Sequence, residues 1–336
     1  MLLTGRRTSV FWGSDLAGDN QRFLETLDPD YFRFVAETNA SQLSDGDSLE
    51  GPNRVRAALS LRIAYGQAIE TLMALLSATA QAPLFPMGWL LRYQQEDLTE
   101  VVSAVQNGED FHNLLVAQPV TWQALSEIVH GGVPDIAAQK GLVERFAHFW
   151  DRIASAFLSD SHRNEYNALK HGLRVMPGGF SLSVGIEKTP GQRPPAEEMK
   201  PLGGSPFGSS FILPVRIDGA QKHHFTLTHE SRNWSYEALA IDLQLMAQSM
   251  SNVISRLRIL SGADPSKVRF SWPRDEGDDA FQRYQQFLFS VERFAYPERI
   301  GAKSIAVVTA ADVIAAYTRA RAARPSEPVR DEPSTA

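Results

Sequence analysis

Apolar residues recur at three- and four-residue intervals through most of this chain, and the stretch after Ser235 does so without a break. Tyr236, Leu239, Leu243, Met246, Met250, Val253, Leu257 and Leu260 form one continuous stripe, which predicts an amphipathic helix. Ser235 is its expected N-cap, Trp234 is placed to staple onto Leu239, and Gly262 closes the end. A second long helix is predicted from about Asn53 to Ala80. Leu59, Ile63, Gly66, Ile69, Met73 and Leu76 lie along one stripe, and Leu61, Tyr65, Leu72 and Leu75 along another. A helix this apolar is expected to be buried on much of its circumference. Its notable charges are Arg62 and Glu70, two turns apart and on nearly the same face.

Shorter helices surround these two. Asp28-Pro29 opens one through Tyr31, Phe32 and Val35, with Pro at the first helical position. Others are predicted near 89–106, ending at Asn107-Gly108, and near 122–130, from a Thr121 N-cap to Gly131-Gly132. From Leu142, the residues Phe146, Phe149, Trp150, Ile153 and Phe157 step at helical intervals. Asp160 or Ser161 can cap a fresh helix after them, so continuity into the next stretch stays open.

The period changes after Gly172. Six prolines and seven glycines between Pro177 and Gly208 exclude a persistent helix. Phe180, Leu182, Val184 and Ile186 alternate with polar or small residues as a half-buried strand does. Strands over Phe211–Ile217 and Lys222–His229, joined at Asp218-Gly219, complete an expected antiparallel meander, with a flexible loop near 188–209. Towards the C-terminus, strands over Val268–Trp272 and Ser304–Val308 flank a helix of about 279–294 carrying Phe281, Tyr284, Leu288 and Val291. A Thr309/Asp312 capping box starts a last helix through Tyr317.

The fold class this implies is mainly α (α+β): a helical bundle body, a small antiparallel β-meander and a C-terminal βαβα-like appendage. The expected domains are an N-terminal segment over 1–52, the bundle over 53–262 with the meander inserted at about 180–229, the appendage over 263–323, and a disordered tail over 324–336.

Composition narrows the function classes. The 336 residues are 43% hydrophobic and 21% charged, as in a globular protein with a substantial core. A net charge of −6 argues against a dedicated nucleic-acid binder with a basic surface over a whole domain, while leaving room for a local basic pocket. With no cysteine, disulfides, thiolate metal sites and a Cys nucleophile are excluded, which fits a cytoplasmic protein. The N-terminus has two early arginines and no apolar core, unlike a secretory signal. Residues 71–91 carry no charge, but Gln81, Pro83, Pro86 and Gly88 interrupt them; a buried helix and a turn explain them better than a membrane span. A soluble protein is expected.

Common catalytic and nucleotide-binding signatures are absent, among them GxSxG, GxxxxGK[ST], GxGxxG and HExxH. His223, His224 and His229 share one predicted strand. Residues six apart on a strand stand roughly 20 Å apart, too far for one ion, so neither a metal nor a cofactor is expected. The acidic run Asp275, Glu276, Asp278 and Asp279 suits the start of a helix.

One stretch carries chemistry. Read as a helix, Ser161–Val175 places Arg163, Asn164, Asn167, Lys170 and His171 within an arc of roughly 120°. Tyr166, Leu169 and Leu173 occupy the neighbouring arc and would anchor the helix to the core. An imidazole exchanges protons near neutrality, and a guanidinium grips a phosphate through two hydrogen bonds, a pairing suited to phosphodiester work. The two asparagines would orient the imidazole or contact a ribose. The plainer reading makes Arg163, Lys170 and Glu165 surface charges, with His171 and Gly172 forming a structural corner.

An Arg followed by a polar residue and later by His, on the second of two long core helices, resembles the HEPN superfamily of helical bundles. Many of its members are metal-independent RNases that work as dimers. Arg163 is followed by Asn164, and His171 comes after seven intervening residues, one more than the family's motif allows. The resemblance covers Asn53 to His171. It implies that His171 acts at the ribose 2′-hydroxyl or the leaving oxygen and that Arg163 holds the scissile phosphate. Glu70 would polarise one of them across the bundle. RNA and a second copy of the chain are the implied partners. From Glu144 to Arg174, five Arg and Lys face four acidic residues, so no deep positive groove is evident. The rival expectation is a non-catalytic interaction or scaffold protein acting as a homo-oligomer, with the loop near 188–209 meeting a partner.

Overall fold

The structure is a computed structural model; it describes residues 2–4, 7–9, 15–44, 51–109, 120–133, 141–216, 225–273, 279–288, 291–297 and 309–322. The fold is mainly α (α+β). Two short strands, β1 (Leu2–Thr4) and β2 (Arg7–Ser9), pair antiparallel. There follow α1 (Leu16–Glu25), α2 (Asp30–Ser44), α3 (Gly51–Gln81), α4 (Pro86–Arg92), α5 (Gln95–Asn107), α6 (Trp122–His130), α7 (Leu142–Leu158) and α8 (Asp160–Lys170). The strands β3 (Met176–Pro177), β4 (Ser181–Val184), β5 (Lys200–Gly204), β6 (Gly208–Arg216) and β7 (Phe225–Asn233) lead to α9 (Tyr236–Leu260), then β8 (Arg293–Pro297) and α10 (Ala310–Ala322).

The chain divides into two compact units, one of residues 1–211 with 231–294 and the other of residues 212–230 with 295–336. The first holds the helical body. Its centre is α3, a helix of 31 residues that packs against α2 and α9. From Leu61 to Ala80 nearly every apolar side chain on it is buried, as the double stripe requires. Leu61, Ile69, Leu72, Met73 and Leu76 meet Leu243, Met246, Met250 and Val253 of α9 in one continuous core with Phe146 and Trp150 of α7. Each such side chain contributes about 1.5–3 kcal/mol through removal from water. Among the described residues, no helix is long and apolar enough to cross a membrane; the uncharged run at 71–91 ends α3, turns, and starts α4 at Pro86.

The strand region differs from the expected three-stranded meander. β4 leaves the sequence of the main sheet and pairs antiparallel with β5, a strand inside the stretch expected to be a loop near 188–209. The main sheet has the order β3-β6-β7-β8. Asn233 explains why two chain segments are held beside β7: its side chain accepts from Phe180 N and donates to the carbonyls of Phe180 and Val291. The Asp218-Gly219 turn lies outside the described residues.

The βαβα appendage is also corrected. Residues 268–272 form no strand, because Ser271 N and O bond the Asn252 side chain of α9 and Arg269 O accepts from Ser255, which occupies backbone groups that a ladder would use. In place of a helix over 279–294 there is a 3₁₀ turn at Arg283–Phe287 and then β8. Phe281 is seated between Phe146 and Phe149. Spacing of three to four residues serves 3₁₀ turns as well as α-helix, so that period does not separate them. Thr309 and Asp312 form the expected capping box at the start of α10. The expected strand 304–308 and the tail 324–336 lie outside the described residues.

Candidate cleft between α3 and α8

Helix α8 starts afresh after α7. Ser159 is extended and its hydroxyl accepts from His162 N, so neither Asp160 nor Ser161 is the cap. The helix ends at Lys170, with His171 donating its backbone N–H to Asn167 O. Gly172 at φ 102° and Leu173 at φ 53° then turn the chain out in the left-handed region. Gly172 takes this without penalty and Leu173 does not. That turn explains why Leu173, expected to anchor the helix to the core, is exposed.

What anchors α8 is Glu165. Its carboxylate is buried, and Oε1 accepts from Arg62 Nε at 3.2 Å, Ser209 Oγ at 2.6 Å and Trp234 Nε1 at 3.2 Å. Oε2 accepts from Arg62 Nη2 at 2.5 Å and lies 3.4 Å from Arg232 Nη1. Burial by itself would raise the pKa of this carboxyl; the charge and hydrogen bonds of Arg62, then Arg232 and Ser209, outweigh burial and hold it well below the usual carboxylate range. The reading of Glu165 as a surface charge is therefore overturned. Trp234, expected to staple onto Leu239, gives its indole N–H to Glu165 and stacks on Phe207.

With Glu165 facing inward, the opposite arc of α8 faces α3 across an open cleft of about 200 Å³. Arg163, Asn167, Lys170 and His171 line it together with Glu70 of α3. Asn164 is half-buried and does not contribute to the lining. His162, Tyr166 and Lys170 succeed one another at i, i+4 and i+8: the imidazole stacks on the phenol ring at 6.4 Å, and Lys170 Nζ stands 5.3 Å above that ring. Tyr166 approaches α3 where Gly66 leaves room; a Cβ there would lie 2.3 Å from the ring.

Glu70 does not reach Arg163 or His171 in the manner expected. It forms an ion pair with Lys170 at 3.4 Å, while burial and the nearby Glu70 charge keep the Tyr166 hydroxyl protonated well above its ordinary range. Arg163 forms an ion pair with Asp160 one turn earlier. His162, unnamed by the sequence reading, is buried, and burial with the nearby charge of Arg62 lowers its pKa to about 3, so it is a neutral imidazole. Two signals pointed to these extra residues. Glu165 falls at the centre of the arc holding Ser161, Ala168 and Leu169, and Tyr166 shares the spacing of His162 and Lys170.

Among the described residues, no group of three or more His, Asp or Glu is placed to hold a metal ion. His223 and His224 lie outside them, and the His229 ring stacks on Tyr296. Comparison with protein-family models, curated proteins and solved structures finds no match to this chain.

Proposed function

We propose that this protein binds and cleaves RNA in the cleft between α3 and α8, by a metal-independent transesterification of the HEPN kind. The observation that supports it is the shared placement of Arg163 and His171, eight residues apart, on the lining of one open cleft with Asn167 and Lys170. Arg163 and Lys170 hold the scissile phosphate, exchanging Asp160 and Glu70 for the ligand. His171 takes the proton of the ribose 2′-hydroxyl as its oxygen attacks phosphorus and the 5′-oxygen leaves. Asn167 contacts the ribose. The reading includes a homodimer, as in the family it resembles, and a cytoplasmic setting, which the absence of cysteine favours.

A second reading is a non-catalytic interaction protein. It draws on the two acidic partners, Asp160 and Glu70, which already neutralise the cations of the cleft. One experiment separates the two. Purified protein in EDTA is incubated with a single-stranded RNA, beside His171→Ala and Arg163→Gln. Cleavage by the wild type alone supports the enzyme; equal cleavage by all three, or none by any, sinks it.

A further inference from the structure

A cavity of about 480 Å³ opens where the turn after α6 meets the last part of α9 and the segment that follows it. Ser255 and Asn252 of α9 bond the backbone of Arg269 and Ser271, which fixes Phe270 and Trp272 as one wall of the cavity. Arg256 and Arg269 line it as well, and among the described residues no carboxylate does.

The two guanidinium groups have no counter-ion among the described residues. Arg256 is half-buried; its Nε donates to Val129 O at 2.9 Å and its Nη2 to Gly131 O, and the group stands 5.9 Å from the centre of the Phe270 ring. Those carbonyls end α6 and suit a cation there, but they are neutral, and they leave Nη1 unused. Arg62, Arg152 and Arg258 each meet a carboxylate, whereas burial lowers the pKa of Arg256 with no acid opposing it. Arg269 is exposed, and its side chain makes no hydrogen bond or ion pair among the described residues. The hollow on its other side holds Glu25 and Asp30, which pair with Arg258 and Arg33. Asp135, Asp275, Glu276 and Asp278 lie outside the described residues.

Neutral donors point the same way. The indole N–H groups of Trp89, Trp122, Trp150 and Trp234 each find an acceptor within the protein. That of the half-buried Trp272 finds none among the described residues. Gly132, at φ 74°, also leaves its N–H without an acceptor there, and a Cβ on it would meet nothing within 4 Å. The rest of the wall is apolar, with Ile259 and Val268 beside Phe270. A cavity of this size with apolar walls and a few convergent donors is the usual form of a small-molecule site. Capping of α6 accounts for two donors of Arg256, but not for Arg269 or Trp272.

We infer that this cavity binds a small organic anion, a phosphate monoester carried on a planar ring. Its two negative charges answer the two guanidinium groups, and its oxygens accept from them and from the N–H groups of Trp272 and Gly132. The ring lies against Phe270, Ile259 and Val268. The inference is independent of the RNA-cleaving reading, since the two cavities share no lining residue.

Calorimetric titration of the full chain tests it, with phenyl phosphate, inorganic phosphate and benzyl alcohol as probes. Phenyl phosphate should bind one per chain, at least about tenfold more tightly than either of the others. Arg269→Gln, at an exposed position, should weaken it at least about tenfold with Tm unchanged, the size of one hydrogen bond to a charged group. Trp272→Phe keeps an aromatic ring, loses the N–H and should weaken it several-fold, while His171→Ala should leave it unchanged. A variant with Asp135→Asn, Asp275→Asn, Glu276→Gln and Asp278→Asn should bind as the wild type does. If phenyl phosphate gives no saturable heat up to the low millimolar range, or binds no better than inorganic phosphate, the inference fails. It fails equally if Arg269→Gln and Trp272→Phe both bind as the wild type does. A gain of tenfold or more in the four-acid variant would show that the arginines are already compensated, and would overturn it too.

Discussion

Arg62 and Glu165 are 103 residues apart in the chain and are joined by two hydrogen bonds in its interior. The pair fixes the rotation of α8, because the carboxylate occupies the centre of the inward arc and the cleft residues the opposite one. A buried charge that loses its partner is far more damaging than one at the surface.

Glu165→Gln keeps the volume and removes the charge, leaving Arg62 and Arg232 without their carboxylate. We expect a loss of about 3–5 kcal/mol in urea unfolding. Glu70→Gln, at a half-exposed pair with Lys170, should lose less than about 1 kcal/mol. Comparable losses for the two would contradict the description of the core.

Gly66→Ala tests the contact between α3 and α8. Alanine raises helix propensity by about 1 kcal/mol, but its Cβ would run into the Tyr166 ring. Overpacking of this kind costs about 1–3 kcal/mol, so the net change should be destabilising, with the cleft distorted. A rise in Tm would show that Tyr166 yields freely.

Acid should weaken the fold well before the carboxylates titrate. Burial holds the His130 pKa near 4, the Ser126 carbonyl opposing and Arg256 adding to it, and His162 lies near 3. Both are neutral when folded, whereas the unfolded chain takes up their protons as the pH falls through about 6.5. The stability they confer is therefore full above pH 6.5 and is lost as the pH falls towards 4, by about 3 kcal/mol each. His162→Phe should flatten that slope by one proton; an unchanged slope in unfolding experiments from pH 7 to 4.5 would refute the assignment.

His171→Ala should leave stability within about 0.5 kcal/mol, since the side chain is exposed and its helix-ending bond is made by the backbone. Loss of RNA cleavage beside an unchanged Tm would separate chemistry from the structural corner. A fall of several degrees would assign the residue to the corner.

The helices were legible because their signals are local. Ser235 caps α9 by accepting from Ala238 N, and Gly262 turns the chain at φ 94°. The double stripe of α3 likewise reported its burial on most sides. The ion partners were not legible. Glu70 lies on nearly the same face as Arg62, yet the partner of Arg62 came from a helix a hundred residues later, which no periodicity encodes. The pairing of β4 with β5 was hidden by the prolines and glycines that surround both strands, whose ladder includes Pro201, Gly203 and Gly204. For the cleft, the α8 residues could be grouped by angle alone, while Glu70's pairing with Lys170 depended on how α3 and α8 meet.

The Glu165 carboxylate also constrains the order in which the chain can assemble. Its partners come from positions 62, 209, 232 and 234. Docking α8 on α3 before the strands arrive would bury an anion with only part of its solvation replaced. The helices and the strand segments that carry Ser209, Arg232 and Trp234 should therefore fold in one cooperative step, and a chain cut between α8 and β6 should fail to fold alone.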